Sequence, residues 1–439
     1  MAALVMMTAA CNNDDNEILT LEQPAKAKGI TITAQLAPKT GGATTRAVAD
    51  NGDNRITVTW AQNEHIAILY EVSSTPYVAD ATITAVDGSG TATITFTVEA
   101  GTANDTPCTL VYPLSAAKDD HTGVKDAATL LAAQDGTLNV NLDVREGEGT
   151  IQTTTPGLTV TTQPAAQYSI FKFTTQDISG SDITPTEFTV SDAAGNVITT
   201  VTLTTSDLYV ALPVLSADTY WFNATASDKP YIAKATVSTA TSAGNFYSTT
   251  VKMATVGDVI LSDGKFAAKG TDGERAIITY VGSDNCEASP YNHGLAFAMS
   301  DAGGGGNIPW GSSSVIDAGH TKQPSSTFTI ESGLQYNDAT HNSDNYRAFK
   351  AAMANNDTAA PTGCSDWFLA SGYQWTKMIA GAGSASNLRS LVGLQANYYY
   401  WTSSEINAQK AWQYDFKKWR WLQCTKTDSQ NRVRACLAF

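Results

Sequence analysis

Alternation of apolar and polar residues over short runs is the feature that most constrains how this chain can fold. Between Thr91 and Val98 every second residue is apolar and the others are threonine. Successive side chains of a β-strand point to opposite faces, so this run predicts a strand with one buried and one solvated face. Similar runs, separated by turn sequences such as Asp87-Gly88, recur as far as Met253. Regular short strands of this kind predict two β-sandwiches in tandem.

Length and charge narrow the classes of function. A chain of 439 residues exceeds one hydrophobic core and predicts roughly two to four domains. The net charge of −15 argues against general nucleic-acid binding, because phosphate contacts require a basic surface. No apolar stretch reaches the roughly 18 residues of a membrane-spanning helix. The sequence contains no nucleophile–base motif, phosphate loop or metal-ligand spacing, so we predict neither an enzyme nor a cofactor or metal site.

The pattern changes after Met253. Strand-like runs continue, but residues 343–353 have the spacing of an amphipathic helix, and Ser371 with Gln374 forms a capping-box pattern that predicts the start of another. Strands mixed with helices predict an α+β domain. The last residues, from Arg432 to Phe439, alternate cleanly and predict a structural strand.

Aromatic and basic residues are concentrated near the end of the chain. Nine aromatic residues lie between Tyr398 and Trp421, and seven Lys or Arg stand against three Asp or Glu after Gln395. Rings with basic neighbours suit a contact surface, because they supply stiff amphipathic area; the alternative is a β-core, which also favours Tyr and Trp. Trp367, Trp375 and Trp401 are assigned to the core. The predicted ligand contacts are Trp412, Tyr414, Lys417, Lys418, Trp419, Arg420, Trp421, Gln423, Lys426 and Asp428.

The first eleven residues predict export. An apolar run followed by small residues and Cys11 resembles a bacterial lipobox, which implies lipidation of Cys11; an ordinary signal peptide is the alternative. Disulfides persist in exported proteins, so we expect at least one. The sequence does not choose the pairing, and Cys424 is expected to stay unpaired because it lies in the contact stretch. The candidate disulfide residues are Cys286, Cys364 and Cys436.

Two segments resemble the fimbrillins of Bacteroidales, the type V pilins. They are Thr45-Arg46-Ala47 followed by the run from Trp60 to Tyr70, and the run from Phe246 to Met253. The resemblance implies an outer-membrane lipoprotein precursor that is cleaved after Arg46. Cleavage would remove a strand with apolar residues at Ile30, Ile32, Ala34 and Leu36, and another pilin subunit would insert a donor strand in its place. The alternative is that this run simply remains as the first strand.

The last part of the chain resembles a C-type-lectin-like domain. The matching segments are Trp367 to Ser371, Tyr400 to Glu405, Ala411-Trp412 and Arg432 to Phe439. Some domains of this group are diversified by retroelements. The resemblance implies an α+β binding domain, and a variable ligand surface is a further hypothesis. Binding through calcium is not expected, because Glu405 and Asn407 are the closest approach to a ligand set.

These observations give one domain scheme and two functions. The scheme has a signal at 1–11, a prosegment with the removable strand at 12–46, sandwiches at 47–151 and 152–254, and the lectin-like domain at 255–439. The first function is a fimbrial tip adhesin on the cell surface, which binds a host or bacterial surface protein or glycan and touches the membrane only through the precursor's lipid. The alternative is a non-polymerising surface lipoprotein that displays a variable binding head.

Overall fold

Short strands, not helices, make up most of the regular secondary structure of the described residues. The computed structural model describes residues 29–39, 48–50, 56–312, 328 and 330–439. Cys11 and Arg46 therefore lie outside the described residues. Within them the chain forms three units in sequence order, and no helix there is long and apolar enough to span a bilayer.

The first unit is a seven-stranded sheet with the order β1-β6-β5-β4-β7-β8-β9. Strands β2 and β3 pair separately as a ribbon, and helix α1 lies in the connection between β7 and β8. The strands and the helix are β1 (Ile30–Leu36), β2 (Val48–Asp50), β3 (Ile56–Val58), β4 (His65–Val72), β5 (Thr75–Val86), β6 (Ala92–Val98), β7 (Thr106–Tyr112), α1 (Ala127–Ala132), β8 (Arg145–Gln152) and β9 (Gly157–Ala166).

This sheet curls until its two end strands meet. β1 contacts β9, and the Ala37 amide donates to Oε1 of Gln163 at 3.3 Å. The core lies inside the curl, where Ile32 and Leu36 pack with Ile94 and Phe96. Both layers of the predicted first sandwich thus come from one sheet. The expected boundary at residue 151 is wrong, because β9 pairs with β8 in this sheet.

The second unit is a sandwich of two separate sheets, β13-β10-β16 and β12-β11-β14-β15. Its core contains apolar residues of both sheets, with the Phe173 ring 5.6 Å from that of Phe222 across the interface. The strands are β10 (Ser169–Asp177), β11 (Glu187–Ser191), β12 (Val197–Thr202), β13 (Tyr209–Leu212), β14 (Thr219–Ala226), β15 (Lys229–Thr236) and β16 (Phe246–Met253).

The third unit is α+β, as the sequence predicts. It has two sheets, β18-β17-β19-β20-β25 and β23-β22-β21-β24, with three helices. The strands are β17 (Val259–Leu261), β18 (Phe266–Ala267), β19 (Glu274–Val281), β20 (Gly294–Ala298), β21 (Tyr399–Glu405), β22 (Lys410–Asp415), β23 (Arg420–Thr425), β24 (Asn431–Arg432) and β25 (Cys436–Ala438). The helices are α2 (Arg347–Ala354), α3 (Gly372–Gly381) and α4 (Ala385–Val392).

Several local predictions are confirmed in this unit. The capping box at the start of α3 is present, with Ser371 and Gln374 each bonding the other's backbone amide. The predicted helix at 343–353 is observed as a short 3-10 turn followed by α2. The predicted terminal strand from Arg432 to Phe439 is found only in part: β24 ends at Arg432 and pairs with β21, whereas β25 pairs with β20 in the other sheet, and Phe439 is buried.

The cysteine prediction is wrong. Cys286, Cys364 and Cys436, like Cys108 and Cys424, carry free thiols in the described structure. Cys436 is a buried residue of β25, and its thiol donates to the Leu437 carbonyl at 3.5 Å. Cys424 donates to Oδ2 of Asp428 at 3.2 Å. Cys108 and Cys436 are buried, and Cys286, Cys364 and Cys424 are partly buried.

Candidate contact surface on the third unit

The hairpin of β22 and β23 carries most of the predicted contact residues. The two strands pair from Lys410–Thr425 to Asp415–Arg420, which leaves a four-residue turn at 416–419. Asp415 holds this turn, because its Oδ1 accepts from the amides of Lys417 at 2.9 Å and Lys418 at 3.1 Å. Trp419 takes a left-handed backbone conformation, with φ of 54°. The turn therefore projects consecutive side chains away from the sheet.

Five of the ten predicted contact residues are exposed. These are Lys417, Lys418, Trp419, Arg420 and Gln423. Trp419 is 42% exposed and is the one aromatic residue among the exposed large hydrophobic side chains of the described chain. We call Lys417, Lys418, Trp419 and Arg420, together with Arg389 of α4, the hairpin patch.

Two contacts hold the Trp419 ring in place. Its edge meets the buried Phe416 ring at 6.1 Å between centroids, and the Arg389 guanidinium lies 4.8 Å from its centre. A ring fixed in this way loses little side-chain entropy when a ligand covers its free face. Arg389 was not predicted, because nothing in the sequence of α4 indicates that it lies beside a turn thirty residues later.

The hairpin patch is also a local concentration of positive charge. Within the described residues, Lys417 and Lys418 form no ion pair, and Arg420 is 3.7 Å from the buried Asp415 carboxylate. The hairpin patch itself carries four exposed or partly exposed cations and no carboxylate. Because the whole chain carries −15, this patch differs in sign from its surroundings and favours an acidic partner.

The contact prediction is wrong for Trp412, Tyr414 and Lys426, which are 6%, 5% and 0% exposed. Trp412 packs edge-on against Phe328, at 5.6 Å between ring centres. Burial also raises the pKa of the Tyr414 phenol. These side chains belong to the interior of the unit and not to its surface.

The buried Lys426 forms an ion pair in the interior. Its ammonium group contacts the Glu405 carboxylate and lies 4.4 Å from the centre of the Trp310 ring. Glu405, the nearest approach to a calcium ligand in the sequence, is therefore occupied by a lysine in the interior. Of the other predicted residues, Trp421 and Asp428 are half-buried, and Trp421 packs on Tyr414 at 4.8 Å between ring centres.

The predicted removable strand is the end strand of the first sheet. β1 pairs antiparallel with β6, from Ile30–Val98 to Leu36–Ala92. Ile32, Ala34 and Leu36 are buried and Ile30 is half-buried, while the intervening side chains face outward. Its position at the end of the strand order allows β1 to leave without breaking any ladder except the one with β6. The predicted cleavage at Arg46 and lipidation of Cys11 fall outside the described residues.

Comparison with known proteins gives weak likenesses only. No protein-family model and no curated protein matches this chain. A solved fimbrial protein from Bacteroides ovatus is 12% identical over 94% of this chain and 100% of its own, with a TM-score of 0.31. A fimbrial assembly protein from Parabacteroides distasonis is 14% identical over 51% of this chain and 90% of its own, with a TM-score of 0.29. Likeness at this level establishes no shared fold, so the description above depends on the chain's own hydrogen bonds and packing.

Proposed function

We propose that this chain is an exported adhesin subunit of a cell-surface fimbrium and that the hairpin patch binds its ligand. The observation that carries the proposal is the exposed Trp419 ring, fixed by Arg389 and Phe416, beside lysines that form no ion pair with a described residue, on an acidic chain. Aromatic rings and arginine dominate the binding energy of many interfaces, and a positive patch directs the approach of an acidic partner. The proposed ligand is an acidic surface protein or glycan, bound without metal.

The burial of β25 supports a position at the fibre tip. β25 pairs with β20 inside the third unit, and Leu437 and Phe439 are buried in its core. A subunit inside a fibre must lend a strand to its neighbour, and this segment cannot leave without opening the core. The first sheet could instead accept a strand after β1 is removed, since β1 pairs only with β6. The chain would then receive a strand without donating this one.

Binding can be tested with the full chain on an array of bacterial and host surface proteins and acidic glycans. We expect Trp419→Ala and Lys417→Ala/Lys418→Ala to weaken binding to the same ligand by roughly tenfold or more. Val197→Ala and Lys229→Ala, which remove exposed side chains of the second unit, are the matched controls. Equal binding by Trp419→Ala, the lysine variant and the controls would exclude the hairpin patch as the site.

The second candidate is a non-polymerising surface lipoprotein with the same binding patch. The same observation, a projecting patch on a separate unit, favours it equally. Purified fimbriae distinguish the two: we expect the tip adhesin in sheared fibres, with its chain beginning after Arg46. A chain that stays with the membrane and begins at a lipidated Cys11 would support the lipoprotein. A retroelement-diversified head would be supported by a template copy and a reverse transcriptase gene beside the gene of this protein.

A further inference from the structure

Lys39 is a buried lysine just beyond the removable strand. It stands three positions after Leu36, in a stretch whose sequence predicts a loose loop. Its side chain is 0% exposed, and its ammonium group lies 3.0 Å from Oδ2 of Asp143. A buried ammonium ion is costly unless it is paired and surrounded by polarisable groups. Other residues of the first unit therefore form a binding site for this ammonium group.

Two aromatic rings and one carboxylate surround the Lys39 ammonium group. The Lys39 ammonium lies 3.6 Å from the centre of the Tyr112 ring and 4.3 Å from that of Trp60. Those rings meet edge to face at 5.2 Å. Rings attract a cation most strongly where water is excluded. We call Trp60, Tyr112 and Asp143 the cation pocket.

The carboxylate of the cation pocket is held by a residue outside the segment that carries Lys39. Arg145, which is 1% exposed, donates from Nε to both Asp143 oxygens, at 2.8 and 3.0 Å. The Trp60 indole instead donates to the carbonyl of Ala37, in the same segment as Lys39, at 2.9 Å. Glu64 is a second nearby carboxylate, so Lys39 and Arg145 together balance two negative charges. Removing Lys39 with its strand would leave this pocket one positive charge short.

We propose that the cation pocket selects the strand that occupies the β1 position, by requiring Lys or Arg three residues after its last buried apolar side chain. The inference rests on the strand acceptance included in the proposed function. The occupant is an extended segment of another chain, with apolar residues at the spacing of Ile30, Ile32, Ala34 and Leu36 and then the cation. Apolar alternation alone suits many strands, whereas a buried charge that must be matched discriminates among them. The cation pocket thus adds a requirement for a positive charge to the requirement for apolar side chains at the β1 position.

The burial of Lys39 would also protect the chain at this residue during proteolytic cleavage. A protease that reads basic residues finds Lys39 with a side chain 0% exposed. The strand would therefore keep Lys39 after the proposed cleavage at Arg46. The pocket would then hold the cleaved strand until another segment of the same chemistry replaces it.

The test uses the full chain with a site-specific protease sequence inserted after Arg46. After cutting, the protein is mixed with fluorescent peptides of residues 29–39, and incorporation is measured by size exclusion. We expect the wild-type and Lys39→Arg peptides to enter. Lys39→Met and Lys39→Glu peptides should enter at least about tenfold less well, because they bring no cation to Asp143 and Glu64, and the one charge of Arg145 does not balance both carboxylates. An Asp143→Asn chain should lose the preference for Lys over Met.

The outcomes separate this inference from the proposed function. Equal entry of the lysine and methionine peptides would overturn the charge requirement while supporting strand acceptance. Entry of no peptide at all, the wild-type included, would overturn both, and the hairpin patch would then be judged by its own binding test. Discrimination is read on the unaltered chain, so the result does not depend on Asp143→Asn folding.

Discussion

At the scale of single residues, burial controls the chemistry of the cysteines. Burial raises the pKa of the Cys286 and Cys424 thiols to about 12 and that of Cys364 to about 11. Cys108 is raised to about 12, and the fully buried Cys436 is also raised. The thiolate is the reactive form, so these cysteines are poor nucleophiles at neutral pH.

Native protein should therefore resist alkylation. At pH 8 we expect iodoacetamide to label these five cysteines slowly, because few of the thiols are ionised, and to label all of them rapidly after denaturation. Reducing agent should leave the melting temperature unchanged, since the described structure has no disulfide to break. Peptide mass mapping measures both results. A disulfide-linked peptide joining Cys364 to Cys436 would contradict the structure.

Sequence reasoning located the hairpin patch only in part. Adjacent charged and aromatic residues predict a wet face, and Lys417, Lys418 and Trp419 are exposed as expected. Trp412 and Lys426 belong to the same aromatic and basic stretch, but they are covered by Phe328 and Glu405, which come from other parts of the chain. Local composition cannot show which ring a distant residue covers. Lys39 was missed for the same reason, because Asp143 lies far along the chain.

At the scale of elements, alternation predicts strands better than it predicts their partners. The faces of β1 and β6 follow directly from their sequences. The pairing of β9 with β8, and the curl that brings β9 to β1, depend on hydrogen bonds between separated segments. The sequence therefore predicts the sandwich character of the first unit without showing that one sheet forms both layers.

The terminal strand shows what a buried element contributes. The centre of the Phe439 ring lies 5.6 Å from that of the Phe266 ring. A Cβ added to Gly294 would lie 2.3 Å from Cζ of Phe439, so the ring uses space that the glycine leaves. The Phe439 carbonyl accepts from the amides of His293 at 2.7 Å and Gly294 at 3.0 Å. The last residue thus closes the third unit by both packing and hydrogen bonding.

Replacing Phe439 or Trp419 by alanine should reduce stability by very different amounts. Phe439→Ala opens a cavity in the core, so the free energy of unfolding of the third unit should fall by about 3–5 kcal/mol. Trp419→Ala removes a side chain that is 42% exposed, and the loss should be about 1 kcal/mol or less. Urea unfolding of both variants measures the difference. A loss of stability in Trp419→Ala as large as that in Phe439→Ala would assign the tryptophan a structural role.

At the scale of the whole molecule, the second and third units meet in a shared core, in which Trp221 and Ile232 pack with residues of the third unit. Trp221 of β14 stacks on His293, with 4.0 Å between ring centres, and both residues are buried. Lys234 of β15 lies 5.4 Å from the centre of the same tryptophan ring. Burial lowers the pKa of His293 from 6.5 to about 4, and the nearby Lys234 acts in the same direction. The contact therefore requires a neutral imidazole.

This requirement predicts loss of stability in acid. Between pH 6.5 and pH 4 the unfolded chain binds a proton at His293 that the folded chain does not, so the free energy of unfolding falls as the pH falls. Each unit of pKa difference corresponds to about 1.4 kcal/mol, which gives a total loss of about 3 kcal/mol. The variant His293→Phe keeps an aromatic ring on Trp221 but does not titrate.

Urea unfolding at pH 7.5 and pH 4.5 measures this effect, with His65→Phe as the control because His65 is exposed in the first unit. We expect the wild-type and His65→Phe proteins to lose about 2–3 kcal/mol more than His293→Phe between the two pH values. The transition should be followed in the third unit, through the fluorescence of its buried tryptophans. An equal pH dependence in His293→Phe would show that protonation elsewhere, and not at the joint between the units, controls acid stability.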